Sequence, residues 1–227
     1  MTIKFNTAIK AAAVAAALLF STASHAALTE VSNVDYFNFD ANIYSHGGST
    51  SLTTWSLTGV NALAFCIEPD VDANKAASYG VNGSYVASDY VKALYETSYR
   101  DVISAGGVYN ANNAAAFQLA LWEALDDHNF NNVNGKMYLP NVVTGFDADV
   151  DAVTAAAHVM MDKTVAFVDN HGAANTFAYT AYSAADSQGM LTVSAVPEAD
   201  TWAMMVVGLG LLGLVSRRKS DKSETFA

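Results

Sequence analysis

At 227 residues the chain has room for one ordinary domain plus further segments. A net charge of −11 argues against nucleic acid and anionic membrane surfaces as partners, since both select basic patches. With one cysteine, Cys66, the chain is not a disulfide-stapled scaffold.

The first 26 residues read as a secretory signal. Lys4 and Lys10 form a basic start, Ala11 to Phe20 is apolar, and Ser24-His25-Ala26 offers small residues for cleavage. The apolar run falls short of the roughly 20 residues that a permanent bilayer span needs, so the mature chain is expected to begin near Ala27. Between the two tails the cations reduce to Lys75, Lys92, Arg100, Lys136 and Lys163, which leaves an acidic exported domain.

Leu28 to Thr58, rich in Tyr, Thr, Ser and Asn and broken at Gly47-Gly48, predicts strands joined by a turn. Leu63 to Glu68 predicts another strand, with Leu63, Phe65 and Ile67 on one face and Ala64, Cys66 and Glu68 on the other, ended by Pro69. Ser88 is expected to cap a helix whose stripe is Val91, Leu94, Tyr95, Ser98 and Val102. A central helix over Asn113 to Leu125 enters at Asn112 or Asn113 and carries Ala114, Phe117, Leu121, Trp122 and Leu125 at helical spacing. Gln118 falls inside that stripe. An unpaired buried carboxamide costs about 1–3 kcal/mol, so Gln118 must be hydrogen-bonded, wet or chemically consumed. After a polar loop from Asp126 to Gly135, a third helix is expected over Asp147 to Asn170, stopping at His171-Gly172. Phe177 to Ser183 and Met190 to Ala195 read as a hairpin around a turn from Ala185 to Gly189. The order implies an α+β fold: a β-sheet or sandwich with an inserted section of about three helices.

The C-terminus has three parts: Val196-Pro197-Glu198, then Thr201-Trp202 and an apolar stretch from Ala203 to Val215, then Arg217-Arg218-Lys219. This arrangement resembles the PEP-CTERM sorting signal, with Ala199 where the commonest pattern has a second proline. The resemblance implies a substrate of an exosortase-type processing enzyme of the inner membrane. The protein is then expected on the envelope, outer surface or extracellular matrix, held transiently by the C-terminal helix. The expected divisions are signal peptide 1–26, extracellular domain 27–195, sorting signal and helix 196–219, and cytoplasmic tail 220–227.

Phe65-Cys66-Ile67-Glu68, Leu94-Tyr95 and Phe117-Gln118-Leu119-Ala120-Leu121-Trp122 together resemble the thioester domains of bacterial surface adhesins. That resemblance implies a bond between the Cys66 sulfur and the Gln118 side-chain carbonyl, with Phe65, Phe117 and Trp122 shielding it from water. A carboxamide is a poor electrophile, so thiol attack depends on positioning, which can supply about 7–11 kcal/mol. The expected function is an exported surface or biofilm-matrix protein that attaches covalently to a nucleophile on an exopolysaccharide or surface protein. The alternative is a passive matrix protein with no reactive bond.

Other patterns have plainer explanations. Gly208-x-Gly210-x-x-Gly213 matches a dinucleotide fingerprint but lies in an apolar run with no strand before it. Asp147-x-Asp149-x-Asp151 lacks the glycine and glutamate of a calcium loop and suits a helix N-terminus. Cys66 with His128, His158 or His171 would be a hydrolase dyad, without a local signature to support it. Asn82-Gly83-Ser84 is explained by a turn. No catalytic residue, metal site or cofactor is expected, and the chain reads as a non-enzyme.

Overall fold

Strand-forming residues crowd both ends of the folded region, and one sheet collects them. The structure, a computed structural model, describes residues 26–38, 42–44, 48–60, 62–103, 108–140, 148–172 and 176–196. The expected signal peptide, Asp147, and the sorting residues Pro197, Glu198, Arg217 and Arg218 lie outside the described residues. The chain divides into units 1–194 and 195–227; of the second, only Ala195 and Val196 are described.

In the first unit β1 (Leu28–Asn38) pairs antiparallel with β3 (Gly48–Leu57), from Leu28↔Leu57 to Asn38↔Gly48, with a bulge between Glu30 and Ser32. β4 (Leu63–Cys66), β5 (Gly80–Asn82), β7 (Phe177–Ala184) and β8 (Ser187–Ala195) complete a six-stranded sheet in the order β1-β3-β4-β8-β7-β5. Two-residue strands β2 (Asn42–Ile43) and β6 (Met137–Tyr138) form a separate small ladder. The fold is α+β, with a single main sheet in place of a sandwich.

Three helices follow β5. Helix α1 (Asp89–Val102) starts at Ser88, whose hydroxyl accepts the Val91 N–H at 3.2 Å, and buries the expected stripe. Helix α2 (Ala111–Ala124) begins at Asn110, not at Asn112 or Asn113: the Asn110 side chain accepts the Asn113 N–H at 3.0 Å. From Ala114 to Ala124 every residue of α2 is buried, because it packs against β1, β3 and β4 as well as α1 and α3. A helix covered all round needs apolar or small residues on every side, which its alanines supply. Helix α3 (Ala148–His171) carries Asp149 and Asp151 in its first turn, as favourable helix-end charge requires. It stops at Gly172, whose φ of +74° suits glycine.

The closing hairpin differs from expectation where it matters most. Its turn is only Ala185-Asp186, and β8 already begins at Ser187. Ser187, Gln188 and Gly189 therefore belong to a strand in the middle of the sheet.

Candidate functional site

Cys66 sits where the sheet splits. β4 pairs with β3 only at Trp55↔Ala64 and Ser56↔Leu63, while on its other side it runs with β8 through Cys66↔Met190. The Cys66 N–H and C=O thus face a gap on the β3 side, and buried backbone groups must find partners.

Gln118 fills that gap. Its Oε1 accepts the Cys66 N–H at 2.8 Å and its Nε2 donates to the Cys66 carbonyl at 2.8 Å, so the carboxamide stands in for a peptide group of the missing strand. One turn along α2, the Trp122 indole N–H donates to the same carbonyl at 3.1 Å. The buried glutamine is therefore hydrogen-bonded, through the cysteine's backbone.

The sulfur meets a different residue. The register Cys66↔Met190 makes Gln188 the diagonal neighbour of Cys66 on the same face of the sheet, within reach of a long side chain. The Cys66 Sγ lies 2.5 Å from the Gln188 Oε1. Unbonded sulfur and oxygen do not ordinarily come so close; atoms sharing one carbonyl carbon do. With a C=O bond of about 1.23 Å, the Gln188 carboxamide carbon is no more than about 3.7 Å from the sulfur. The expected partner, Gln118, is thus not the carboxamide that faces the thiol, because both of its polar atoms are held by the Cys66 backbone.

Gln188 is anchored from several sides. Its N–H donates to the Asp72 carbonyl at 3.3 Å, and its carbonyl accepts the Tyr79 hydroxyl at 3.0 Å. The buried Tyr79 hydroxyl also bonds Ser187 Oγ at 2.5 Å, and that oxygen accepts the Asn74 N–H at 2.8 Å. Next along the strand, the Gly189 N–H donates to the Glu68 carboxylate at 2.7 Å. A Cβ on Gly189 would come within 3.2 Å of that carboxyl group, so a residue without one is needed for this approach. Two glutamines occur in the whole chain; that count was the available signal for Gln188, masked by its turn-like neighbours.

A cavity of about 340 Å³ opens over the contact, with Thr50, Thr53, Trp55, Asp72 and Trp122 among its walls beside Cys66 and both glutamines. Burial pushes the Cys66 thiol up to about 12, against lowering hydrogen bonds from Glu68 N–H and Trp122, so it does not ionise by itself near neutral pH. Of the expected shielding residues, Trp122 lines this cavity. Phe65 and Phe117 are fully buried, 4.8 Å apart between ring centroids, and join Tyr95 and Tyr99 in an aromatic cluster. None of the expected dyad histidines is among the described residues that line the cavity. His158 Nε2 bonds the Leu139 carbonyl at 2.9 Å, while His128 and His171 stack on Tyr90 and Phe167. Among the described residues no cluster of ligands could hold a metal.

Val196, the first residue of the C-terminal pattern, directly follows β8. Residues 195–219 match the PEP-CTERM protein-sorting motif. This motif is the sorting signal of exported, envelope-associated proteins processed by an exosortase. Among solved structures, the N-terminal thioester domain of the fibronectin-binding protein SfbI from Streptococcus pyogenes is similar at a TM-score of 0.39 and 13% identity, over 73% of this chain and 93% of that one. No curated protein matches the chain. No helix of the described residues is long and apolar enough to cross a membrane; the expected sorting helix lies outside them.

Proposed function

We propose that this is an exported surface or matrix protein carrying an internal thioester between the Cys66 sulfur and the Gln188 side-chain carbonyl, used once to attach covalently to a partner. The 2.5 Å approach of Sγ to Gln188 Oε1 supports this reading most directly. In it Gln118 takes a different role from the bonded one expected of it: it holds the Cys66 backbone so that the sulfur points at Gln188. The chemistry then follows from position, since a reacting pair held at about 3–3.5 Å behaves as one molecule. The nucleophile would be a lysine amine or a sugar hydroxyl of a surface protein or exopolysaccharide, entering through the cavity beside Trp122.

The intact mass of the purified chain tests the bond. It should be one ammonia below the mass its sequence demands, and Cys66→Ala or Gln188→Ala should restore the full value. Methylamine should label Gln188 and release the Cys66 thiol. A label on Gln118 would return the bond to that residue, and a full-mass wild type with an alkylatable thiol would leave a passive matrix protein.

The divisions at 1–26, 27–195, 196–219 and 220–227 belong to the same proposal, with the tail spanning the inner membrane until it is cut. Protein extracted from the native surface should therefore start near Ala27 and lack the Arg217-Arg218-Lys219 peptide in mass spectrometry. Recovery of that peptide would mean a permanent anchor.

A further inference from the structure

Forming or opening a thioester moves a proton at each step, and the buried Cys66 thiol does not release its own. Among the described residues lining the cavity, the side chains are hydroxyls, indoles, carboxamides, apolar groups, the thiol and one carboxylate, Asp72. The fold fixes this residue against the strand that carries Gln188. The Asp72 carbonyl accepts the Gln188 N–H at 3.3 Å, and two residues on the Asn74 N–H donates to Ser187 Oγ at 2.8 Å. Upstream, Val71 N–H closes onto the Glu68 carbonyl at 3.1 Å after Pro69, turning the chain over the cavity mouth. Glu68 itself is engaged elsewhere, its carboxylate accepting the Gly189 N–H at 2.7 Å.

We propose that Asp72 is the catalytic acid–base group of this site, which rests on the Cys66–Gln188 thioester reading. In formation, its carboxylate takes the thiol proton as sulfur bonds to the Gln188 carboxamide carbon. It returns that proton to the side-chain nitrogen as the C–N bond breaks, and ammonia leaves. In discharge, an amine bonds to the same carbon, Asp72 takes the proton the amine loses, and the Cys66 sulfur receives it as the S–C bond breaks. Both steps balance without an oxidant or cofactor. The backbone contact to Gln188 uses the Asp72 carbonyl, so side-chain substitutions leave it in place.

General acid–base catalysis is worth about 10²–10⁴-fold, and cell-free synthesis of the full chain with intact mass followed over time can read it. Wild type should lose one ammonia, Asp72→Glu should follow at a similar rate, and Asp72→Asn should lag by about 100-fold or more. Formate should restore the rate to Asp72→Ala, which separates a missing carboxylate from a misfolded variant. Asp72→Asn and Asp72→Ala that keep pace with a wild type losing ammonia would overturn the role of Asp72 and leave the thioester standing. Slow variants that neither glutamate nor formate restores would also overturn it, since the defect would then be structural. A wild type that keeps its full mass would remove the thioester, and Asp72's role with it.

Discussion

Trp122→Ala should destabilise the folded unit by about 3–5 kcal/mol, the usual penalty for truncating a buried large aromatic side chain. The indole is almost fully buried, forms part of the cavity wall and donates to the Cys66 carbonyl at 3.1 Å. Its own backbone carbonyl accepts the Tyr44 hydroxyl at 3.1 Å, a bond that survives truncation of the side chain. Most of the loss should therefore come from emptied volume. Trp122→Phe tests this division: it restores most of the bulk, removes the donor and should lose only about 1 kcal/mol, because Gln118 still donates to the same carbonyl. Urea unfolding of both variants measures the difference. Equal, small losses would mean that the indole packs too loosely to wall the cavity, and water would have free access to the sulfur.

Local chemistry made much of this fold legible. Ser88 before an apolar-periodic run, Gly172 after another, and alternating residues around Phe65 each name an element because the cause acts within a few residues. Asn110, Asn112 and Asn113 are all competent caps, so composition alone does not choose among them. Strands of two residues such as β2 and β6 have no periodicity to detect. The site was half legible for a deeper reason. Gln118 stood out as a polar residue inside an apolar helical stripe, and it does meet Cys66. Gln188 sits in Asp186-Ser187-Gln188-Gly189, residues that favour turns, and becomes part of a strand only because β8 pairs with β4. That register joins residues more than a hundred positions apart, which no local pattern encodes.

Raising the pH should weaken the fold through Glu123, the residue after Trp122. Glu123 is fully buried, one carboxylate oxygen has no hydrogen-bond donor, and the other accepts the Asn129 N–H. Burial first, then the hydrogen bond it shares with Asp127, raises it from 4.5 to about 8, with the Asp127 and Asp126 charges acting in the same direction. A proton on Glu123 donated to Asp127 satisfies both groups. Burial alone would raise Asp127 too, but hydrogen bonds from Glu123, Asn132 and the Asn129 N–H outweigh it and hold Asp127 below its usual value. The sign follows from linkage: an acid weaker in the folded than in the unfolded chain contributes fully below the unfolded value and progressively less as pH rises through the folded one. His128 and His158, both lowered by burial from 6.5, act oppositely by weakening the fold on acidification, so the clean window lies above pH 6.5. Between there and about pH 8.5 the expected loss is roughly 2 kcal/mol, or about 4–8 °C in Tm for a unit of this size. Glu123→Gln, which keeps the donor and cannot ionise, should flatten that slope and melt higher than wild type at the alkaline end. Parallel melting curves for the two proteins across the window would show that Glu123 is ionised throughout and that its proton does not join the end of α2 to the loop that follows.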